Sequence, residues 1–137
     1  MAKKSQNIPA GNSKDDVYAR RDYIVNKLQH LIGTSIRCNA LNGQKVHINF
    51  YSIDETATHA AKNYESTLAA LKIAKAISNA KFVKASKPHS RKQVKRGFVE
   101  MYELSSELPK IGTVKIMVGK KKNQQILHYC ITKKIAK

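Results

Sequence analysis

Acidic side chains are scarce in this chain: nine Asp and Glu stand against 26 Lys and Arg, for a formal net charge of +17. Such a field attracts polyanions before any specific contact forms, so nucleic acid is the first expected partner and an acidic protein the alternative. Cysteine is nearly absent. Its two copies, Cys38 and Cys130, lie in strand-like segments without metal-ligand spacing, which argues against a disulfide framework or a zinc site and for core thiols. Long apolar runs are missing as well. Nothing approaches the roughly 18 consecutive apolar residues of a membrane span, and the polar start Met1–Gln6 has no leader-like apolar stretch, so a soluble, cytoplasmic protein without membrane contact is expected. There is no Gly-rich phosphate loop, no paired-carboxylate spacing and no nucleophile motif, and no cofactor or metal is expected. With no repeats and no long linker, 137 residues read as one domain able to bury a core unaided.

What is present reads in order as a flexible basic arm over residues 1–13 and an α+β domain over 14–137. Ser13 followed by Asp15 and Asp16 starts a helix, and Val17, Ile24, Leu28 and Leu31 carry its apolar face, predicting a helix over 15–32. Alternation of Ile36, Cys38 and Ala40, and of Val46, Ile48 and Phe50, predicts strands at 35–41 and 44–51. A three-residue loop, with Gly43 in left-handed backbone, keeps both apolar sets on one face. Ser52-Ile53-Asp54-Glu55 matches a capping box, predicting a helix over 54–62, a break or a second cap at Asn63, and a helix over 66–79 whose alanines suit close packing on a sheet. Strands follow at 81–85, 98–104, 113–119 and 125–132, with a lysine-rich turn over 119–124. The expected fold is an N-terminal helix and hairpin, two central helices and a four-stranded antiparallel meander, with helices on one face.

From Lys81 to Arg96 there are seven Lys or Arg and no acid. This segment places Lys84, Lys87, Lys92, Lys95 and Arg96 as phosphate contacts, with Lys120, Lys121 and Lys122 as a second grip. His89, among Lys87, Ser90, Arg91 and Lys92, has its neutral form favoured by the surrounding cations, which suits a general base. His59 on the short helix and His128 on the last strand are the other candidates. With Leu127, Tyr129 and Ile131 facing the core, His128 and Thr132 are expected on the uncovered sheet face. For His59 and His128 alike, an outward polar side chain is the plainer reading. Tyr51, Tyr64, Tyr102 and Tyr129 lie in or beside basic segments, where tyrosine stacks on single-stranded bases.

Several runs carry a family resemblance: Asp54-Glu55-Thr56-Ala57-Thr58-His59-Ala60, Leu68-Ala69-Ala70-Leu71-Lys72-Ile73-Ala74, Ile77–Val83, Phe98–Tyr102, Val114–Val118 and Leu127-His128-Tyr129. Over 52–132 the chain resembles the domain of the barnase, EndoU, colicin and RelE ribonuclease-like superfamily found in large polyvalent proteins of phages and mobile elements. The resemblance implies an α+β fold and RNA as substrate. It further implies metal-independent cleavage that uses the ribose 2′-hydroxyl, with His59, His89, Arg91, His128 and Thr132 as the site. Asp54-Glu55 stands where that family is expected to carry a lysine. Two functions follow as expectations: a toxin-like ribonuclease, or a nucleic-acid-binding protein that does not cleave. In either case the segments bearing His59, His89 with Arg91, and His128 should converge.

Overall fold

Helix α1, Lys14–Leu28, begins where the Ser13 hydroxyl accepts the Asp16 amide at 3.1 Å, and Asp15 and Asp16 complement the dipole of its first turn. The structure is a computed structural model that describes residues 8–88 and 90–133; for Lys92, Tyr129, Cys130, Thr132 and Lys133 the description is of the backbone alone. The helix stops at Leu28, short of the expected end, and tightens into a 3-10 turn over Gln29–Leu31 before Gly33. Its inner face holds Ile24 and Leu28, and one turn earlier, Arg20 at 0% exposure. The Arg20 guanidinium donates to the carbonyls of Ala61, Pro9 and Gly11 at 2.9, 2.8 and 2.7 Å. A buried cation is thereby solvated by backbone, and the chain ahead of α1 is tied to the body at Pro9 and Gly11.

Strands β1, Ser35–Cys38, and β2, Gln44–His47, pair antiparallel with Ile36 opposite Val46, so their apolar sets do share a face. The connection is longer than the three residues expected. Cys38, not Ala40, pairs with Gln44, because Asn39–Leu41 form a 3-10 turn and both Asn42 and Gly43 take left-handed backbone. Helix α2, Phe50–Ala60, starts four residues before the expected position. Its capping box is Asn49 with Ser52: the Asn49 side chain accepts the Ser52 amide at 3.0 Å, and the Ser52 hydroxyl accepts the Asn49 amide at 3.1 Å. The strand expected over 44–51 therefore ends at His47. Asn63 caps α3, Tyr64–Ala70, by accepting the Ser66 amide at 2.8 Å. The expected single helix over 66–79 is broken at Leu71–Lys72, and α4 covers Ile73–Ser78.

Strand β3, Lys81–Ser86, is followed by a short helix α5, Arg91–Lys95, in the stretch between the strands expected at 81–85 and 98–104, where no element was predicted. Strands β4, Phe98–Leu108, β5, Gly112–Lys121, and β6, Ile126–Lys133, complete the chain. Because β5 runs on to Lys121, the lysines assigned to a turn are split between the strand and the turn. The sheet has six strands in the order β1-β2-β6-β5-β4-β3, rather than four. The N-terminal hairpin joins it by parallel pairing of β2 with β6, Val46 opposite Ile126 and His47 opposite Leu127. The fold class is α+β.

Helices cover one sheet face. Ala57, Ala60, Ala69, Ala70 and Ala76 are all at 0% exposure, since their short side chains let helix backbones approach closely, as expected for Ala69, Ala70 and Ala76. Ile24, Ile53, Ile73, Ile77, Ile116 and Ile131 fill the same core at 0–1% exposure. Burying each contributes roughly 1.5–3 kcal/mol, a reserve against which buried polar groups are tolerated. A smaller cluster of Phe98, Met101 and Leu127, with Met117 against it, forms separately from that core.

Candidate functional site

A cavity of about 430 Å³ opens where four segments meet. Asn49 and Tyr51 enter it from the start of α2, and Lys95, Arg96 and Phe98 from the connection between α5 and β4. Lys121 comes from the end of β5, and Leu127 and His128 from the start of β6.

The topology explains why His128 is there. Strand β2 accompanies β6 only as far as Leu127, then the chain leaves the sheet through Ile48 and Asn49 to begin α2. His128 is the next β6 residue, and it stands opposite Val118, a member of the main core. A register shift beside Met117 and Val118 leaves Tyr129 between the paired positions, with Cys130 opposite Met117 and Ile131 opposite Ile116. This irregularity puts both His128 and Ile131 on the helix-covered side, and it overturns the regular alternation that assigned His128 to the uncovered face. The imidazole is 2% exposed. Leu127, expected in the main core, instead packs with Phe98 and Met101.

Tyr51, Glu55 and His59 recur every four residues and so lie along one stripe of α2. The Glu55 carboxylate, 6% exposed, is 2.8 Å from His59 Nε2 and 3.8 Å from Arg96 Nη2. The Arg96 guanidinium lies 4.8 Å from the centroid of the Tyr51 ring, within reach of a cation–π interaction. Arg96 thus joins the cavity to the Glu55–His59 pair, and its charge is balanced by a carboxylate with little water around it. The neighbouring acid, Asp54, pairs with Arg21 of α1 at 2.5 Å. Both carboxylates of the Asp54-Glu55 pair are therefore matched by cations.

Lys120 belongs to a different cluster. Its ammonium is 3.6 Å from Glu100, to which the Tyr102 hydroxyl donates at 2.7 Å. Burial and then the Glu100 hydrogen bond push the Tyr102 phenol above its ordinary value, and the hydrogen bond with Tyr102 raises Lys120.

Of the residues singled out in the sequence, the fold brings Tyr51, Lys95, Arg96, Lys121 and His128 into the cavity, with His59 connected through Glu55. Arg91 does not line the cavity; it borders another hollow with Pro88, Ser90, Val94 and Lys95, of which Lys95 also lines the cavity. Lys84 and Lys87 are exposed on and just after β3, and Lys122 is exposed at the turn beside the cavity. His89, and the side chains of Lys92 and Thr132, lie outside the described residues. Glu55, Asn49 and Phe98 were not anticipated as site residues. The spacing of Tyr51, Glu55 and His59 carried a usable signal for Glu55; for Asn49 and Phe98 there was none, because their place depends on where β2 ends and β4 begins.

Among the described residues no cluster of three His, Cys, Asp or Glu could hold a metal ion, and no helix is long and apolar enough to cross a membrane. The family described as Large polyvalent protein-associated domain 3 matches residues 15–129. No curated protein and no solved structure matches the chain.

Proposed function

The chain belongs to the family Large polyvalent protein-associated domain 3, and within that polyvalent-protein context we propose that it is a metal-independent RNA-cleaving domain of the ribonuclease-like superfamily it resembles. The observation that carries this reading is the link from cavity to acid–base pair: Arg96 lines the cavity with His128 and contacts the Glu55 carboxylate that holds His59. RNA cleavage needs a proton acceptor at the 2′-hydroxyl, a donor at the leaving oxygen and a cation at the phosphate.

In this reading a phosphodiester enters the cavity and its charge is met by Arg96, Lys95 and Lys121. His128 takes the proton of the 2′-hydroxyl as that oxygen bonds to phosphorus. The bond from phosphorus to the 5′-oxygen breaks, and the Glu55–His59 couple supplies the proton to that oxygen. The products are a 2′,3′-cyclic phosphate and a free 5′-hydroxyl, with one proton taken and one returned. Charge and hydrogen bonding do the work, as in other phosphoryl-transfer sites where positioning dominates.

A second reading, nucleic-acid binding without cleavage, is favoured by one feature: Arg96 already shares its charge with Glu55, which weakens its hold on a phosphate. Incubating the purified protein with end-labelled RNA in the presence of EDTA separates the two. Cleavage to cyclic-phosphate ends that survives chelation, and that falls by about 10²-fold or more in Glu55→Gln with RNA affinity unchanged within a few-fold, is the expected result. Intact RNA alongside salt-sensitive binding rejects the enzyme and leaves the binding protein.

A further inference from the structure

The cavity does not end at Phe98. A second hollow of about 540 Å³ adjoins it, and the two share Arg96, Phe98 and Lys121. Beyond Phe98 the second hollow is lined by Val94 and Val99, 60% and 42% exposed, and by Lys122 on the rim. Two chemistries therefore alternate along one path: cations at Arg96, Lys121 and Lys122, and an apolar floor at Phe98, Val94 and Val99. The Lys121 ammonium stands 5.9 Å from the Phe98 ring centroid, so the shared wall is itself a cation over an aromatic ring. Among the described residues no acid lines either hollow.

We propose that this second hollow is a nucleotide subsite, and that the chain takes a single-stranded polynucleotide which crosses Phe98 with one phosphate near Arg96 and the next toward Lys122. The inference rests on the proposed nucleic-acid function and adds its substrate class. A single strand meets the alternation in kind, since its phosphates are anionic and its bases present apolar faces. In a duplex the bases are paired and stacked, so their faces are not free to meet apolar side chains such as Val94 and Val99. The volume also fits, because hollows of a few hundred Å³ are the size that encloses a small ligand such as one nucleotide.

The test uses the full chain and oligodeoxythymidylates, which lack the 2′-hydroxyl and so report binding without cleavage. Fluorescence anisotropy with a labelled dinucleotide and a labelled hexanucleotide should give binding about tenfold tighter for the longer strand. Lys122→Gln lies on an exposed turn and should weaken the hexanucleotide several-fold while leaving the dinucleotide unchanged. A hairpin duplex of the same charge should compete poorly. Equal affinity for both lengths, or equal competition by the duplex, overturns the subsite while the cleavage reading stands. Binding of neither strand, with RNA cleaved in the EDTA assay, also overturns it. Binding of neither strand and no RNA cleavage removes both the subsite and the proposed function.

Discussion

The ring of Phe98 occupies the space that a side chain on Gly119 would need: a Cβ built there would stand 2.6 Å from Phe98 Cε1 and 2.8 Å from Cγ. Gly119 pairs with Leu127 across β5 and β6, so its missing side chain lets Phe98 pack against Leu127 and form the wall shared by the two hollows. Gly119→Ala forces the ring aside, and such over-packing costs about 1–3 kcal/mol. Urea denaturation should show that loss, and adding Phe98→Leu should recover part of it, since residues in contact are not additive. Full stability of Gly119→Ala would mean that the ring is not fixed there.

Arg20 holds the start of the described chain to α1 and α2 through carbonyls on both sides. Replacing it with methionine keeps the packing volume but strips a charged donor from the buried Ala61 carbonyl and from Pro9 and Gly11. The expected loss is about 3 kcal/mol or more, at roughly 1.5–3 kcal/mol for a hydrogen bond to a charged group. Limited proteolysis of Arg20→Met should also cut ahead of α1 faster than in the parent. Unchanged stability and cutting would show that the arm is held by something else.

The salt dependence of nucleic-acid binding locates the contact face. Neutralising Lys95, Lys121 and Lys122 together should flatten the plot of log affinity against log salt by up to about three counterions. Lys120 is engaged with Glu100 and Tyr102, so Lys120→Gln should move the slope less than any of the three. A slope indifferent to the triple change but sensitive to Lys84 and Lys87 would move the binding face to β3.

Burial raises the Cys38 thiol above its ordinary value of 9.0, against smaller lowering effects of the Ala40 and Leu41 backbone. Folding therefore favours the neutral thiol. Its contribution to stability is complete below the unfolded thiol's pKa and is lost as pH rises toward the folded value. Native Cys38 should resist iodoacetamide at pH values where the unfolded chain reacts at once, and Cys38→Ala should show a shallower alkaline loss of stability than the parent. Rapid alkylation of Cys38 in the folded protein would contradict the burial seen here.

The caps show how far local chemistry is legible. Ser13 starts a helix where the sequence placed it, and Asn63, offered as a break or a cap, caps α3 two residues ahead of the expected start; a cap is a contact between residues three apart and needs nothing distant. At α2 two capping boxes compete within four residues, and Asn49 with Ser52 wins. That earlier start ends β2 at His47, where β2 parts from β6, and lets Tyr51, Glu55 and His59 run along one stripe. The choice depends on the parallel pairing of β2 with β6, which no local pattern announces.

The sequence by itself determined the α+β class, the hydrophobic strands and helices that make it, and the concentration of cations between Lys81 and Arg96, because periodicity and charge are properties of neighbours along the chain. It also named Tyr51, Lys95, Arg96, Lys121 and His128, five of the residues that share the cavity. Only the tertiary structure decided that Arg96 meets Glu55, that Arg91 does not line the cavity and that His128 turns toward the helices. The physical reason is that each of these rests on the displacement of a side chain by backbone register. A single unpaired residue at position 129 reverses the face of every residue on one side of it relative to the other, and such a bulge is a property of the pairing of β6 with β5, which the period along one strand does not contain.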